Sequence, residues 1–520
     1  MNKRPAKVIM VQGTASSVGK STLAAALCRI LRQDGWNVAP FKAQNMSLNS
    51  FVTADGGEMG RAQVVQAEAA CVEPTVDMNP ILLKPEGHSR SQVIVHGVPV
   101  STLEAVDYFK RKDTMWPSVA ESLDRLRAEY DVVVIEGAGS PAEVNLKARD
   151  IVNMRVALYC NAPVLLVADI DRGGVFASAV GTLDLLEPEE RALVKAIVIN
   201  KFRGDLSLLT SGLTWIEERT GVPVAGVLPY YTDIRIPEED SVALEKRRSM
   251  KEKTDYVIDI AVIALPHISN FDDFDPLEQE AGVRLRYVEE DDALGTPDLI
   301  ILPGTKTTMA ALEYLKRRGL DREVVAAALR GTPVIGVCGG YQILGQTLLD
   351  PEHVESTQAY ADGLGLLQVS TTFLAEKTTH QVRGSVLAGQ GLLASAAGLS
   401  ITGYEIHMGR TVDEGVVSPF RIDERSRTQC DEFDGCVDGT GNVLGTYMHG
   451  LFHNEELRRS ILTTLAARKG VTLPLDGPVV SREAEYDKLA ELVRSTLDMG
   501  LIYKALETQG PTAASPGLEL

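Results

Sequence analysis

The stretch Val8 to Ser21, VIMVQGTASSVGKS, constrains this chain more than any other. An apolar run breaks into a glycine- and serine-containing loop and ends at a lysine just before a helical pattern, which predicts a strand, a phosphate-cradling loop and a helix N-terminus. Backbone N–H groups of such a loop point at an anion, while Lys20 adds a mobile charge and Ser21 a hydroxyl for Mg²⁺. Gly13, Thr14, Ser17 and Gly19 complete the expected nucleotide contacts. The five residues Thr14 to Val18 separate the two glycines, one more than in the common phosphate loop.

After the loop, Leu23, Leu27, Ile30 and Leu31 have the spacing of a helix with one buried face. Strand-like runs then recur at Trp36 to Phe41, Val132 to Ile135, Val164 to Ala168, Ile197 to Ile199 and Val222 to Leu228. Alternation of such runs with helical stretches predicts a parallel sheet covered on both faces, where ligands collect at the carboxyl ends of strands. Residues at those ends carry chemistry. Lys42 and Asn45 follow the second run, Glu136 ends the third and is placed to ligate Mg²⁺ with Ser21, and Asp169, Asp171 and Arg172 follow the fourth. Asn200 follows the fifth, where its amide is expected to read a base edge.

The chain carries a net charge of -19 with a pI near 5.0, which argues against nucleic-acid and anionic-membrane partners, since either wants a basic surface. An anionic substrate therefore needs a local basic patch. Arg90 in KPEGHSRSQV is one source, and Lys110, Arg111 and Lys112 in FKRKD are another, although such a run is more often an ordinary solvated face. No run approaches the length of a membrane span, and MNKRPAKVIM enters the first strand without an apolar leader core. Cytoplasmic residence is expected. Six cysteines in 520 residues do not make a disulfide framework; Cys28 and Cys160 read as core residues, and Cys430 and Cys436 as structural.

The loop GTASSVGKS, with its extra residue, resembles that of the dethiobiotin synthetase family. FKAQNMSLNS, EGAGSPAEVNL, VADIDRGGVFAS and NKFRGD are similar to the corresponding segments of cobyric acid synthases. This resemblance implies ATP- and Mg²⁺-dependent activation of a carboxylate as an acyl phosphate, with Lys42, Asn45 and Arg90 near the substrate carboxylate.

Between Pro229 and Asp255 apolar periodicity disappears (IPEEDSVALEKRRSMKEK), as in an interdomain linker. Strands expected at Ile258 to Leu265, Asp298 to Leu302 and Val334 to Val337 open a second α/β unit. The third runs into Gly336-Val337-Cys338-Gly339-Gly340 and a helical pattern. This is a nucleophile elbow with cysteine in place of serine; a helix N-terminus favours thiolate. N–H groups of Gly339 and of the Gly304-Thr305 turn are expected to form an oxyanion hole.

A thiolate nucleophile wants a histidine. His453 with Glu455 matches the His-x-Glu of triad glutamine amidotransferases, whereas His449 stands at the tip of the run Val443 to Met448, in TYMHGLF, a segment resembling cobyric acid synthases. His449 is preferred, which leaves the third member of the triad unassigned. His407 in GYEIHMGR is expected to shape the pocket.

The resemblance runs from Lys7 to about Leu462 in one order. It implies a dethiobiotin synthetase-like ATPase (1–235), a linker (236–257) and a class I amidotransferase (258–462), followed by C-terminal helices and a disordered tail (463–520). The implied reaction uses glutamine-derived ammonia to amidate four propionates of a corrinoid. Cobyrinic acid a,c-diamide synthases share both modules and stay an alternative, although FKAQNMSLNS favours the first family. A partitioning-type ATPase shares the loop but has no use for the Cys338 elbow.

Overall fold

The computed structural model describes residues 5–86, 89–237, 255–413, 415, 417–474 and 481–507. Two six-stranded sheets form the frame. In the first, strands Val224–Pro229, Val194–Phe202, Val164–Asp169, Lys7–Gly13, Val132–Glu136 and Val38–Phe41 lie side by side, all parallel. Val8 to Val11 are fully buried, as strands covered on both faces require. The expected runs therefore form one sheet, and the ends carrying Gly13, Lys42, Glu136, Asp169 and Asn200 share an edge.

The second sheet runs Val283–Val288, Ile258–Ile263, Leu299–Leu302, Val334–Val337 and Val443–Thr446 in parallel, closed by the antiparallel strand Cys436–Val437. Cys338 leaves its centre.

Both halves carry additions with antiparallel strands that periodicity did not predict; in the first half the pair Gln44–Met46 and Ile81–Pro85 is parallel and the rest antiparallel. In the first half a four-stranded sheet, Gln44–Met46, Ile81–Pro85, Arg90–Val95 and Val98–Glu104, fills the space expected to be helical. In the second, the long strands Val369–Val386 and Ser400–Asp413 pair antiparallel and lean on the first half. Lys377 pairs with Glu58 across the seam, Thr379 Oγ1 donates to Gly56 O at 2.7 Å, and Gln381 Nε2 donates to Val52 O at 2.9 Å. Much of the long strand is half-exposed and polar, so its partner is a surface rather than a core.

The C-terminal end differs from expectation in two ways. The helix Glu455–Lys469 buries Leu457, Ile461, Leu462, Leu465 and Ala466 in one core with Leu473, so position 462 lies inside an element of the second half and is no boundary. The expected helix Arg482 to Glu507 is two helices, Arg482–Thr496 and Met499–Glu507, broken by extended Leu497. They return to the first half: Leu489 and Val493 pack with Leu23 and Leu27, and Arg29 Nε bonds Asp487 at 2.7 Å. The expected tail beyond 507 and most of the expected linker, 238–254, lie outside the described residues.

Candidate functional site

The expected site residues gather in two constellations, one in each half. In the first, Ser17 (φ 57°) and Gly19 (φ 103°) give the loop two left-handed steps, and a Cβ on Gly13 would lie 2.5 Å from Val18 Cγ2. The loop is therefore tightly folded on itself. Lys20 Nζ donates to Ala15 O at 2.9 Å and to Gly139 O at 3.1 Å, which links the loop to the turn after Glu136. Thr14 N donates to Val167 O at 2.9 Å, anchoring the loop to the neighbouring strand.

Ser21 Oγ donates to Glu136 Oε1 at 2.7 Å, and Lys42 Nζ reaches the same oxygen at 2.9 Å. Gln66 Nε2 donates to Oε2 at 2.6 Å. Burial alone would protonate Glu136, but the Lys42 ammonium, helped by Ser21 and Gln66, holds the carboxyl below the usual carboxylate range. The structure thus brings Ser21, Glu136 and Lys42 to one point. Asn45 is a step away, its Nδ2 donating to Gln63 Oε1 at 3.0 Å.

Asn200 Nδ2 donates to Val18 O at 2.8 Å and its Oδ1 accepts from Lys201 N at 2.8 Å, so the amide braces the backbone of the loop. The lysine beside it does the same work: Lys201 Nζ ties Ser17 O at 2.6 Å to Asp169 Oδ2 at 2.7 Å. The run Lys110 to Lys112 makes no patch, since Lys112 is buried and Lys110 pairs with Asp107 at 3.2 Å.

The second constellation centres on Cys338, which adopts φ 51°, ψ -110° between strand and helix. The surrounding glycines are sterically required. A Cβ on Gly336 would lie 2.7 Å from Gly340 C, one on Gly339 2.8 Å from Thr305 Cγ2, and one on Gly340 2.5 Å from Leu302 C. Close approach of Gly339 to Thr305 brings together the two segments expected to supply oxyanion donors.

His449 is 1% exposed and its Nδ1 lies 2.7 Å from Asp273 Oδ2. Gly450 N donates to Asp273 Oδ1 at 2.8 Å, so the carboxylate is held at both oxygens. Burial disfavours the imidazolium, yet Asp273 and, on the other side of the ring, Cys338 outweigh it and push the histidine up to about 10. Cys338 Sγ also lies 3.3 Å from Ile406 O. Asp273 fills the third place that sequence left open. It belongs to Ser269-Asn270-Phe271-Asp272-Asp273-Phe274, where an acidic pair between two phenylalanines was the available signal.

His453 and Glu455 do not assemble a pair. His453 Nε2 donates to Asp272 O at 3.1 Å, and burial with nearby Arg482 and Arg61 keeps the ring neutral, whereas half-exposed Glu455 pairs with Arg459 at 3.2 Å.

Cys338 opens into a cavity of about 420 Å³ whose wall includes His407 and Glu355 from the second half and Lys84, Glu86 and Arg90 from the first. His407 stacks on Tyr447 at 3.7 Å; burial lowers it to about 4, so it lines the cavity as a neutral ring. Arg90 stands on the first-half wall of this cavity, 4.0 Å from Glu86 and from Glu104. One space therefore touches the cysteine and both halves.

Residues 9–243 match the family described as CobQ/CobB/MinD/ParA nucleotide binding domain, and residues 259–457 the CobB/CobQ-like glutamine amidotransferase domain. The chain is 52% identical over 501 residues to a cobyric acid synthase of Dehalococcoides mccartyi, covering 96% of this chain and 99% of that protein. It is 54% identical over 524 residues to that of Pelotomaculum thermopropionicum (98% and 99% covered). With that of Sorangium cellulosum it shares 55% over 510 residues (96% and 98%). Among the described residues no helix is long and apolar enough to cross a membrane.

Proposed function

This chain belongs to the cobyric acid synthase family, and from that premise we propose that it amidates the b, d, e and g propionates of adenosyl-cobyrinic acid a,c-diamide with ammonia taken from glutamine. One observation carries the reading. A phosphate loop with an acid at its serine and a cysteine elbow with an oriented histidine occur in one chain, and the cavity at the cysteine is walled by both halves.

In the glutaminase half, Cys338 Sγ attacks the side-chain amide carbon as a thiolate whose proton already rests on His449, and the imidazolium gives that proton to the departing nitrogen. Asp273 acts through His449: it accepts a hydrogen bond from Nδ1–H and stabilises the imidazolium. N–H groups of Gly339 and Thr305, with the Gly304 turn fixing the latter, are aimed at the charge that develops on the amide oxygen. Water then frees glutamate from the thioester, and ammonia leaves into the cavity.

In the other half, Lys20 and the N–H groups from Gly13 to Ser21 hold the phosphates of ATP. Ser21 and Glu136 are hard oxygen donors 2.7 Å apart, which fits Mg²⁺ bound by two protein oxygens with the rest from phosphate and water. Among the described residues no group of three or more His, Cys, Asp or Glu could hold a metal by itself. When bound, ATP supplies the phosphoryl group that turns a carboxylate oxygen into a leaving group. Lys42 neutralises charge beside Glu136, and Asn45 and Arg90 are assigned to the substrate side. Supply of ATP and glutamine suits a cytoplasmic enzyme.

Turnover of the a,c-diamide with ATP, Mg²⁺ and glutamine, followed by mass, tests the reading. Four successive decreases of about one dalton are expected, OH being replaced by NH₂. Amidation confined to the a and c carboxylates of cobyrinic acid would overturn it in favour of the diamide synthase.

A further inference from the structure

The acid that orients His449 sits on a turn that the ATP half holds. Ser50 N donates to Asn270 Oδ1 at 3.1 Å, Phe271 N donates to Asn49 Oδ1 at 3.2 Å, and Arg61 Nε lies 3.0 Å from Asp272 Oδ2. Arg61 and Asp272 are 2% and 1% exposed. Their contact is close but poorly directed: among the described residues neither Arg61 Nε and Nη2 nor either Asp272 oxygen has an aligned hydrogen-bond partner. A buried pair of that kind is a weak source of stability, because desolvation offsets most of the attraction. Its position explains it better. Asp272 is bonded through one peptide link to Asp273; burial and the neighbouring Asp273 raise its carboxyl, and Arg61 is the cation in contact with it that opposes the rise.

Arg61 opens the helix Arg61–Ala69, whose Gln63 and Gln66 reach the ATP site, while Glu68 turns to Arg61 at 3.7 Å and to Arg482 and Tyr486. Gln66 Nε2 holds Glu136 Oε2 at 2.6 Å and Gln63 Nε2 approaches the same oxygen at 3.4 Å. One short helix therefore has its side chains on the Mg²⁺ ligand at one end and on the neighbour of Asp273 at the other.

We propose that Arg61 is a positioning residue of the glutaminase, contributed by the ATP half: it fixes Asp272, thereby the Asp273 carboxylate and the His449 ring, and makes glutamine hydrolysis answer to the state of Glu136. The inference rests on the reaction proposed above. A misplacement of an ångström at His449 costs roughly 10²-fold in rate, so a shift of this helix is enough to turn hydrolysis down.

The test uses the full chain with Arg61→Met, Arg61→Lys and Asp272→Asn, scored by glutamate release and by amidation with ammonium chloride in place of glutamine. The proposal expects wild type to release glutamate faster once ATP and corrinoid are bound; Arg61→Met is expected to lose roughly 10²-fold in kcat for glutamate release with little change in KM, and to lose that response. Ammonia-dependent amidation should stay near wild type, and Arg61→Lys should recover part of the loss. Asp272→Asn, which keeps volume, carries the same test should Arg61→Met not fold. Parallel loss of glutamine- and ammonia-dependent turnover, or unchanged stimulation in a folded variant, overturns the proposal. Absence of ammonia-dependent amidation in the wild type would instead sink the assigned reaction, while glutamate release still reports on Arg61.

Discussion

Asp273→Asn isolates the contact that assembles the glutaminase. The Asp273 carboxylate accepts from His449 Nδ1 at 2.7 Å and from Gly450 N at 2.8 Å, with both side chains 2% exposed. Asparagine fills the same volume. If its oxygen keeps the Gly450 bond, its NH₂ faces Nδ1, which must then be the unprotonated nitrogen. The proton moves to Nε2, and the ring no longer accepts one from Cys338. Loss of the carboxylate also removes the main charge that pushes His449 up to about 10. An inverted tautomer in a comparable triad costs roughly 10⁴-fold, so a fall of about 10³–10⁴ in kcat for glutamate release is expected, equivalent to about 4–5.5 kcal/mol of barrier. Ammonia-dependent amidation should be unchanged. Stability carries a second signature. A base whose value rises from 6.5 to about 10 on folding contributes stability that is fully present below 6.5 and lost as pH climbs through 10. The gap in unfolding free energy between wild type and variant should therefore narrow over that interval. Glutamate release within tenfold of wild type, or a gap constant from pH 6.5 to 10, would refute the orienting role.

Gly340→Ala would drive a Cβ to 2.5 Å from Leu302 C and closer still to its oxygen, both backbone of the adjacent strand; a cost of about 1–3 kcal/mol and loss of glutamate release are expected, and an unchanged melting temperature would show that the elbow is looser than described. Glu355, on the wall of the Cys338 cavity, is pushed up to about 7, chiefly by burial. A carboxyl raised on folding contributes stability below 4.5 that is lost as pH rises through 7, so Glu355→Gln should gain on wild type over that range in urea unfolding, and parallel pH profiles would contradict this.

Much of the molecule is legible in one dimension because it is local. Val8 to Ser21 specifies its strand, loop and helix through apolar run, glycine spacing and a terminal lysine, and the same reasoning finds Cys338, whose backbone angles need the glycines around it. The strand ends that carry Lys42, Glu136 and Asp169 were also readable, since a parallel sheet always gathers them on one edge. Asn200 was readable at a strand end, but its bonds to Val18 O and Lys201 N were not, because a side-chain amide chooses among backbone groups that only the folded loop brings near. Asp273 could not be found this way at all. It stands 176 residues from His449, in a turn with no spacing rule to it, and the His-x-Glu pattern of triad amidotransferases points elsewhere, to His453 and Glu455. The seam follows the same logic. Arg61, Asp272, Glu58 and Lys377 look like ordinary surface charges in sequence, and only packing of one half on the other buries them, so that each must be answered by a charge from a distant segment. Sequence by itself determined the two chemistries and their order along the chain; the tertiary structure decided which acid serves the histidine and how the two halves touch, since burial and charge pairing are properties of space rather than of spacing.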